Sequence, residues 1–214
     1  MATDRILIHA SIAEPFLQTL KSTLDSTTTN NEPPPTLINT ASKARVHSLV
    51  SSALEAGAYL IHGSIDNDNQ DSGVRMAPVL LGGINENMNI WREESFASLA
   101  ACMVVDSDEE AVRVANSTGY GLSAAVFTED LRKGLALARK IQSGYVFSSF
   151  SPVFGIYVSF VNERLNSAVH INSMTIHDEP VLPHGGVKNS GWGRFNAVEG
   201  LNEFLQTKTV TWLD

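Results

Sequence analysis

Residues 99–127 read LAACMVVDSDEEAVRVANSTGYGLSAAVF, a stretch that decides the fold class. Its first seven residues, 99–105, form an uncharged apolar run with the length of a buried strand. The polar residues 106–108 offer an N-cap for a helix that reaches Asn116. A second apolar run at 124–128 predicts another strand. A strand, a helix and a strand in this order are typical of an α/β sheet with parallel pairings, joined by right-handed crossovers.

The alternation of strands and helices extends to both sides of this stretch. Toward the N-terminus, the spacing of apolar residues predicts strands at 4–9, 58–62 and 78–81 and helices at 12–25 and 40–56. Toward the C-terminus, it predicts a helix from Asp130 to about Gln142, a helix at 197–206 and a strand near 207–212. Ser11 and Glu14 form a capping-box pattern at the first helix, and Gly57 is a stop signal for the second.

Composition excludes several classes of function. The chain has 15 Lys and Arg residues against 23 Asp and Glu residues, a net charge of −8. Because no basic patch is available to release counterions, we expect no nucleic-acid or membrane partner. A single cysteine, Cys102, excludes an internal disulfide, and no histidine pair has metal-ligand spacing, so we predict no metal site. No basic segment followed by a long apolar run opens the chain, so we expect a cytoplasmic protein.

Four short motifs have both a functional and a structural interpretation. GYGLSA at 119–124 matches a dinucleotide fingerprint, but a helix precedes it and a strand follows, which favours a simple turn. Cys102 lies in an apolar run with no nearby base, which favours a buried structural thiol over a nucleophile. The paired carboxylates Glu93 and Glu94 suit acid–base chemistry, although such pairs are usually solvated. The triplet 177–179 fits a pocket lining or a solvated loop equally well.

Longer motifs, taken together, resemble one family. They are TDRILIHASIAEPFLQTLK at 3–21, EESF at 93–96, EEAVRVANSTGYGLSAAVFTEDL at 109–131 and PHGGVKNSGWGR at 183–194. The last is similar to P-F-G-G-x-K-x-S-G-x-G-R, with His184 in place of Phe. The chain resembles the C-terminal half of the NAD(P)-dependent aldehyde dehydrogenase superfamily. HINSMTIHDEP at 170–180 is most similar to the fungal salicylaldehyde- and vanillin-dehydrogenase-like members.

The resemblance implies an incomplete parallel-sheet α/β catalytic domain over 1–183, a segment at 184–206 that returns toward a nucleotide domain, and an oligomerisation strand at 207–214. It implies oxidation of an aldehyde, aromatic ones included, to a carboxylic acid with NAD or NADP. In the family a cysteine thiolate forms a thiohemiacetal, which gives its hydride to the nicotinamide. The implied partners are a small-molecule aldehyde and further copies of the chain.

The resemblance also implies roles for individual residues. Glu94 would hydrogen-bond the nicotinamide ribose hydroxyls, because a carboxylate is a strong acceptor for a diol. Phe96 would pack on the nicotinamide, and Ala97-Ser98 stands where the family has Gly-Pro. The family's substrate-facing loop falls on four polar residues, Asn172, Thr175, His177 and Asp178.

The resemblance implies no catalytic residue within the chain. In the family the nucleophile lies in a G-Q-x-C-M-x-T-x-R context, and Met1-Ala2-Thr3-Asp4-Arg5 matches the part that follows it. The nucleophile, the general-base glutamate and the oxyanion asparagine would therefore lie upstream, and we expect the chain as printed to lack dehydrogenase activity. One alternative is a non-catalytic subunit or interaction protein that pairs with full-length relatives. Another is a small membrane protein anchored by 145–161.

Residues 145–167 interrupt the family pattern. The uncharged first part, 145–161, holds six of the sixteen aromatic residues of the chain. Joining Gly144 directly to Ala168 restores a family-like sequence, and codons for 144–146 can contain the splice donor GTATGT. We interpret 145–167 as a retained intron; a genuine insertion or a buried strand pair is the alternative, although an apolar insert would be an aggregation liability.

Overall fold

A computed structural model of the chain describes residues 3–28, 33–65, 73–143, 168–175, 179–206 and 208–212. The chain divides into two compact units, Met1–Thr118 and Gly119–Asp214. The predicted insertion at 145–167 lies outside the described residues. None of the helices in the described ranges is long and apolar enough to cross a lipid bilayer.

The first unit is built on a four-stranded sheet. Its strands are β1 (Arg5–His9), β2 (Tyr59–His62), β3 (Val79–Gly82) and β4 (Leu99–Val105), in the order β1-β4-β3-β2. The central strand β4 is parallel to β1, with Ile6 opposite Cys102, and parallel to β3, with Val79 opposite Leu99. These pairings confirm the predicted α/β fold class.

The edge strand β2 departs from the predicted parallel arrangement. It pairs antiparallel with β3, so the sheet is mixed. A parallel pairing requires a crossover of a dozen or more residues, usually a helix. The described residues between β2 and β3 form no helix, and the chain returns in the opposite direction.

Four helices accompany this sheet, α1 (Ala13–Thr28), α2 (Thr40–Glu55), α3 (Asn89–Arg92) and α4 (Asp108–Asn116). Asn39 caps α2 by accepting a hydrogen bond from the backbone N–H of Ser42. Ser107 caps α4 in the same way, within the predicted range, by accepting from Glu110. Gly57 follows α2 at a φ of +100°, a left-handed conformation that ends a helix at little cost for glycine.

The predicted N-cap at Ser11 is wrong. A 3-10 turn, Ala10–Ile12, connects β1 directly to α1, so Ser11 is inside a helical turn and cannot take the extended conformation of a cap. The imidazole of His9 accepts the backbone N–H of Ser11 instead, at 3.2 Å.

Apolar side chains cover both faces of the central strand. Ala101 and Met103 belong to a cluster that includes Val46 and Val50 of α2. Cys102, on the opposite face, packs with Ile8, Leu80 and partly buried residues of α1. Burial on both faces is the reason that β4 reads as a continuous apolar run.

The described residues of the second unit form two small sheets. Strand β5 (Tyr120–Gly121) pairs antiparallel with β8 (Val187–Lys188), and β6 (Ser123–Val126) pairs parallel with β7 (Ala168–Ile171). Helix α5 (Leu131–Ala138) packs on β7, and α6 (Ala197–Asn202) follows near the C-terminus.

Three predicted elements of the second unit end early or are missing. Asp130 caps α5 as predicted, but the helix ends at Ala138, because Lys140 and Ile141 close a tighter final turn on Leu137 and Ala138. Helix α6 ends four residues before the predicted 206. Residues 208–212 form neither helix nor strand in the isolated chain, and Trp212 is 80% exposed.

Candidate functional site

Glu94 and Phe96 lie in one short loop between α3 and β4, which we call the 93–97 loop. Phe96 is 74% exposed and has a φ of +50°. A bulky residue in the left-handed region costs about 1–3 kcal/mol and persists only where its surroundings hold it. The conformation of this loop therefore requires a set of restraints, which the neighbouring residues supply.

Asp4, just before β1, holds the loop through Ser95. Its Oδ1 accepts the Ser95 hydroxyl at 2.5 Å, and its Oδ2 accepts the Ser95 backbone N–H at 3.2 Å. The Ser95 hydroxyl in turn accepts the backbone N–H of Ala97 at 3.3 Å. This chain of bonds closes the turn at the position where the family has Gly-Pro.

Two arginines bind the backbone carbonyls of the same region. Arg5 donates from Nε to the Trp91 carbonyl at 2.8 Å and from Nη2 to the Glu93 carbonyl at 3.2 Å, with its guanidinium 5.7 Å from the Trp91 ring centroid. Arg45 donates to the Ser95 carbonyl at 2.7 Å and lies 3.7 Å from the Glu93 carboxylate. Hydrogen bonds from charged donors are among the stronger ones in proteins, so these contacts fix the loop firmly.

The carboxyl of Glu94 has a raised pKa. Burial is the main cause, and the Asp4 carboxylate adds to it, whereas Arg5 and Arg45 act in the opposite direction. A carboxylate that has lost part of its hydration is stabilised by hydrogen-bond donors from a ligand. The 93–97 loop thus carries a partly buried carboxyl at Glu94 and an exposed aromatic ring at Phe96.

The predicted substrate-loop residues belong to the second unit. Asn172 has a φ of +54°. Its side-chain amide forms two hydrogen bonds of 2.8 Å with the backbone of Thr128, in which Oδ1 accepts the N–H and Nδ2 donates to the carbonyl. The Thr175 carbonyl accepts the Ser123 hydroxyl at 2.8 Å. These contacts anchor the start of the loop to β6 and the residues after it. His177 and Asp178 lie outside the described residues.

The glycine-rich segment 183–195 has a scaffold of its own. His184 and Phe195 exchange two backbone hydrogen bonds, of 2.9 and 2.8 Å, and their rings lie 5.0 Å apart. Arg194 donates to the Gly186 carbonyl at 3.1 Å. His184, which stands where the family motif has Phe, is buried.

Cys102 is a buried structural thiol, as predicted. It is 3% exposed, and burial raises the pKa of the thiol to about 11, so the thiolate is not populated at neutral pH. The GYGLSA motif is likewise structural, because it joins the end of α4 to β5 and β6. Within the described ranges, no group of three or more His, Cys, Asp or Glu residues could hold a metal ion.

Sequence reasoning did not identify Asp4, Arg5 and Arg45 as site residues. Asp4 meets Ser95 across 91 positions of the chain, and Arg45 meets it across 50. Contacts at such separation leave no local pattern. Of the three, Arg5 occupies a defined position of the motif that the family carries after its nucleophile, whereas Asp4 falls on a variable position of that motif and Arg45 lies outside it.

Comparison with known proteins identifies the family. The model of the aldehyde dehydrogenase family matches residues 1–162 and 157–210. Vanillin dehydrogenase of Pseudomonas fluorescens is 30% identical over 216 residues, which cover 99% of this chain and 39% of the relative. Benzaldehyde dehydrogenase of Bacillus subtilis is 31% identical, with the same coverage. The chain spans about two fifths of the length of these curated relatives.

Solved structures of aldehyde dehydrogenases share the fold of this chain. A salicylaldehyde dehydrogenase of Pseudomonas putida complexed with salicylaldehyde has the same fold, with a TM-score of 0.74 at 24% identity over 94% of this chain and 37% of that one. Betaine aldehyde dehydrogenase of Staphylococcus aureus in complex with NAD⁺ has a TM-score of 0.76 at 27% identity, over 96% of this chain and 38% of that one. With a family model that spans nearly all of its residues, the chain belongs to the aldehyde dehydrogenase family.

Proposed function

We propose that the chain forms part of an enzyme that oxidises an aromatic aldehyde to the carboxylic acid with NAD or NADP. The observation that carries this proposal is the 93–97 loop, which presents a poorly solvated carboxylate and an exposed aromatic ring on a backbone fixed by three charged side chains. Relatives named for vanillin and benzaldehyde support the aromatic substrate.

The chain's own residues would bind and orient the cofactor. Glu94 accepts hydrogen bonds from the ribose hydroxyls, and Phe96 packs against the nicotinamide and shields it from water. The bound dinucleotide supplies the hydride acceptor. Asn172 and Thr175 anchor the first residues of the substrate loop to β6 and Thr128, and the family resemblance adds His177 and Asp178 to the residues of that loop.

The nucleophile of the thiohemiacetal step would come from outside these 214 residues. Cys102 is the single cysteine in the printed sequence, and its buried, protonated thiol cannot attack a carbonyl carbon. We therefore propose that the 214 residues alone have no dehydrogenase activity. The single cysteine and the acidic composition support a reducing compartment such as the cytoplasm.

A second candidate function is a non-catalytic subunit that pairs with full-length relatives. It is favoured by large apolar side chains left exposed near the C-terminus, including Trp192 at 94% and Trp212 at 80%. Exposed apolar residues in such number are typical of an interface. The pairing would run through residues 207–214, with 184–206 as the segment that returns to a nucleotide domain.

The proposed activity is tested on the native polypeptide purified from its source and on the 214 residues expressed alone. The native polypeptide should reduce NAD or NADP with benzaldehyde, vanillin or salicylaldehyde, whereas the 214 residues should not. Glu94→Gln should raise the KM for the dinucleotide by about tenfold, the value of a lost charged hydrogen bond. Glu109→Gln, on the exposed face of α4, is the matched control and should change nothing.

Each outcome distinguishes the candidates. Aldehyde oxidation by the 214 residues alone would contradict the proposed source of the nucleophile. An unchanged KM in Glu94→Gln would contradict the role of that carboxylate. Absence of activity in the native polypeptide, combined with loss of self-association when 207–214 are removed, would favour the non-catalytic subunit.

A further inference from the structure

We propose that Asp4 and Ser95 are positioning residues of the cofactor site: their contact holds the 93–97 loop in the conformation that presents Glu94 and Phe96. This inference rests on the proposed function and names the residues on which the dinucleotide contacts depend.

Ser95 lies between the two presenting residues and has each of its polar groups engaged. Its hydroxyl donates to Asp4 and accepts the N–H of Ala97, its own N–H donates to Asp4, and its carbonyl accepts Arg45. Ser95 is 4% exposed, so water cannot replace these partners. Removal of the hydroxyl leaves Asp4 Oδ1 and the Ala97 N–H without this partner, whereas Asp4 Oδ2 keeps the Ser95 backbone N–H.

The adjacent backbone depends on this contact. Phe96 takes a left-handed φ of +50°, which a phenylalanine does not adopt without restraint. The bond from Ala97 to the Ser95 hydroxyl closes the turn around Phe96 from residue 95 to residue 97. When it opens, Phe96 can return to an ordinary conformation, and the backbone carrying Glu94 moves with it.

Arg45 and Arg5 do not replace the serine contact. Both bind carbonyl oxygens, at Ser95, Glu93 and Trp91, and these lie before Phe96 in the chain. Among the contacts of the described residues, the Asp4 carboxylate is the charged group linked to the backbone that follows Phe96, through the Ser95 hydroxyl and the Ala97 N–H. The Asp4–Ser95 contact therefore governs the turn itself.

The test compares Ser95→Ala, Ser95→Thr and Asp4→Asn in the native polypeptide, with the affinity for reduced dinucleotide measured by nicotinamide fluorescence. Ser95→Ala should weaken binding about tenfold, and Ser95→Thr, which keeps the hydroxyl, should stay within about twofold. The KM for the dinucleotide should rise more than kcat falls. Arg113→Ala, which removes an exposed ion pair with Glu86, is the matched control and should leave affinity unchanged.

A second readout requires no cofactor. Chymotrypsin should cut after Phe96 about tenfold faster in Ser95→Ala, whereas cutting after Phe127, equally exposed at 72%, should keep its rate. Equal acceleration at both positions would mean general unfolding and would overturn the inference. If Ser95→Ala does not fold, Asp4→Asn, which keeps one acceptor oxygen, gives the same comparison at smaller amplitude.

The two levels of the proposal fail separately. Normal dinucleotide affinity in Ser95→Ala, with weakened affinity in Glu94→Gln, overturns the positioning role and leaves the proposed function intact. Normal affinity in Glu94→Gln overturns the proposed cofactor contact. Faster cleavage after Phe96 would then support Ser95 as the restraint of the loop but overturn its link to the cofactor.

Discussion

The 93–97 loop and the glycine-rich segment 183–195 are held in place by opposite means. Side chains from distant parts of the chain hold the first, across 91, 88 and 50 positions. The second is held mainly by backbone hydrogen bonds, which include the antiparallel bridge between His184 and Phe195, the turn that Ser190 makes on Val187, and the pairing of Val187–Lys188 with β5. One substitution within the glycine-rich segment can therefore disrupt its backbone hydrogen bonds. The 93–97 loop, in contrast, loses its conformation when a residue that is distant in the sequence is substituted.

The largest expected effect on stability comes from a substitution in the glycine-rich segment 183–195. A Cβ added at Gly186 would lie 2.4 Å from the Ser190 carbonyl oxygen, which is backbone and cannot move aside cheaply. Gly186→Ala should lower the free energy of unfolding by about 3 kcal/mol, measured by urea denaturation.

Gly191→Ala is the matched control for this change. Apart from Gly191 and its chain neighbours, no atom of the described residues lies within 4 Å of the added Cβ, so the cost comes from a φ of +123° and should be about 1 kcal/mol. Equal losses in the two variants would show that the close approach of the backbone at Gly186 is not what holds the segment.

An intermediate effect on stability should follow from a substitution at Cys102 in β4, the strand that pairs with β1. Cys102 lies opposite Ile6 in an apolar cluster, so the hydroxyl of Cys102→Ser would be buried in apolar surroundings. The expected loss is about 2 kcal/mol relative to Cys102→Ala, again by urea denaturation.

Because β1 carries Asp4 and Arg5 to the 93–97 loop, Cys102→Ser should also speed chymotrypsin cleavage after Phe96. We expect cleavage within 183–195 to keep its rate, since the hydrogen bonds described for that segment join residues of the second unit. Equal stability of the serine and alanine variants would mean that the site of the thiol is not apolar.

The smallest expected effect is a shift in the pH at which the affinity for the dinucleotide is lost. Burial and the Asp4 carboxylate raise the pKa of Glu94, so dinucleotide affinity should be present above that pKa and should fall as the pH drops through it. Asp4→Asn removes one cause of the raised pKa. It should therefore move the acid limb of the profile, where affinity falls with falling pH, to lower pH. Arg45→Ala removes an opposing charge and should move it to higher pH.

Titration of affinity against pH, with fluorescence as the readout, checks both directions. Glu94→Gln should abolish the limb, because no titrating carboxyl remains at that position. A limb that persists in Glu94→Gln would assign the pH dependence to another group.

The same contrast explains how much could be predicted from the sequence. Strand β4 and helix α4 are readable because an apolar run and the Ser107 cap are local signals. The antiparallel direction of β2 is not readable, since it depends on what connects it to β3 rather than on its own residues. Ser11 shows the limit of a cap motif, because the capping box is present and the chain has already turned helical before it.

The candidate site divides in the same way. Glu94 and Phe96 could be predicted because the family motif contains them. Asp4 and Arg45 could not, because their role exists only after the sheet has brought them to Ser95. Asn172 was predicted to face substrate, and its amide binds the Thr128 backbone, a competing use that only the fold reveals.

The 91-residue separation of Asp4 and Ser95 has a consequence for the order in which the protein folds. Contacts between distant residues form late, because the chain must first pay the entropy of closing a long loop. During synthesis, β1 leaves the ribosome well before β4, its partner in the sheet, and waits with its edge unpaired. The 93–97 loop can close only when that pairing is made, so the loop takes its described conformation only after β1 and β4 have joined.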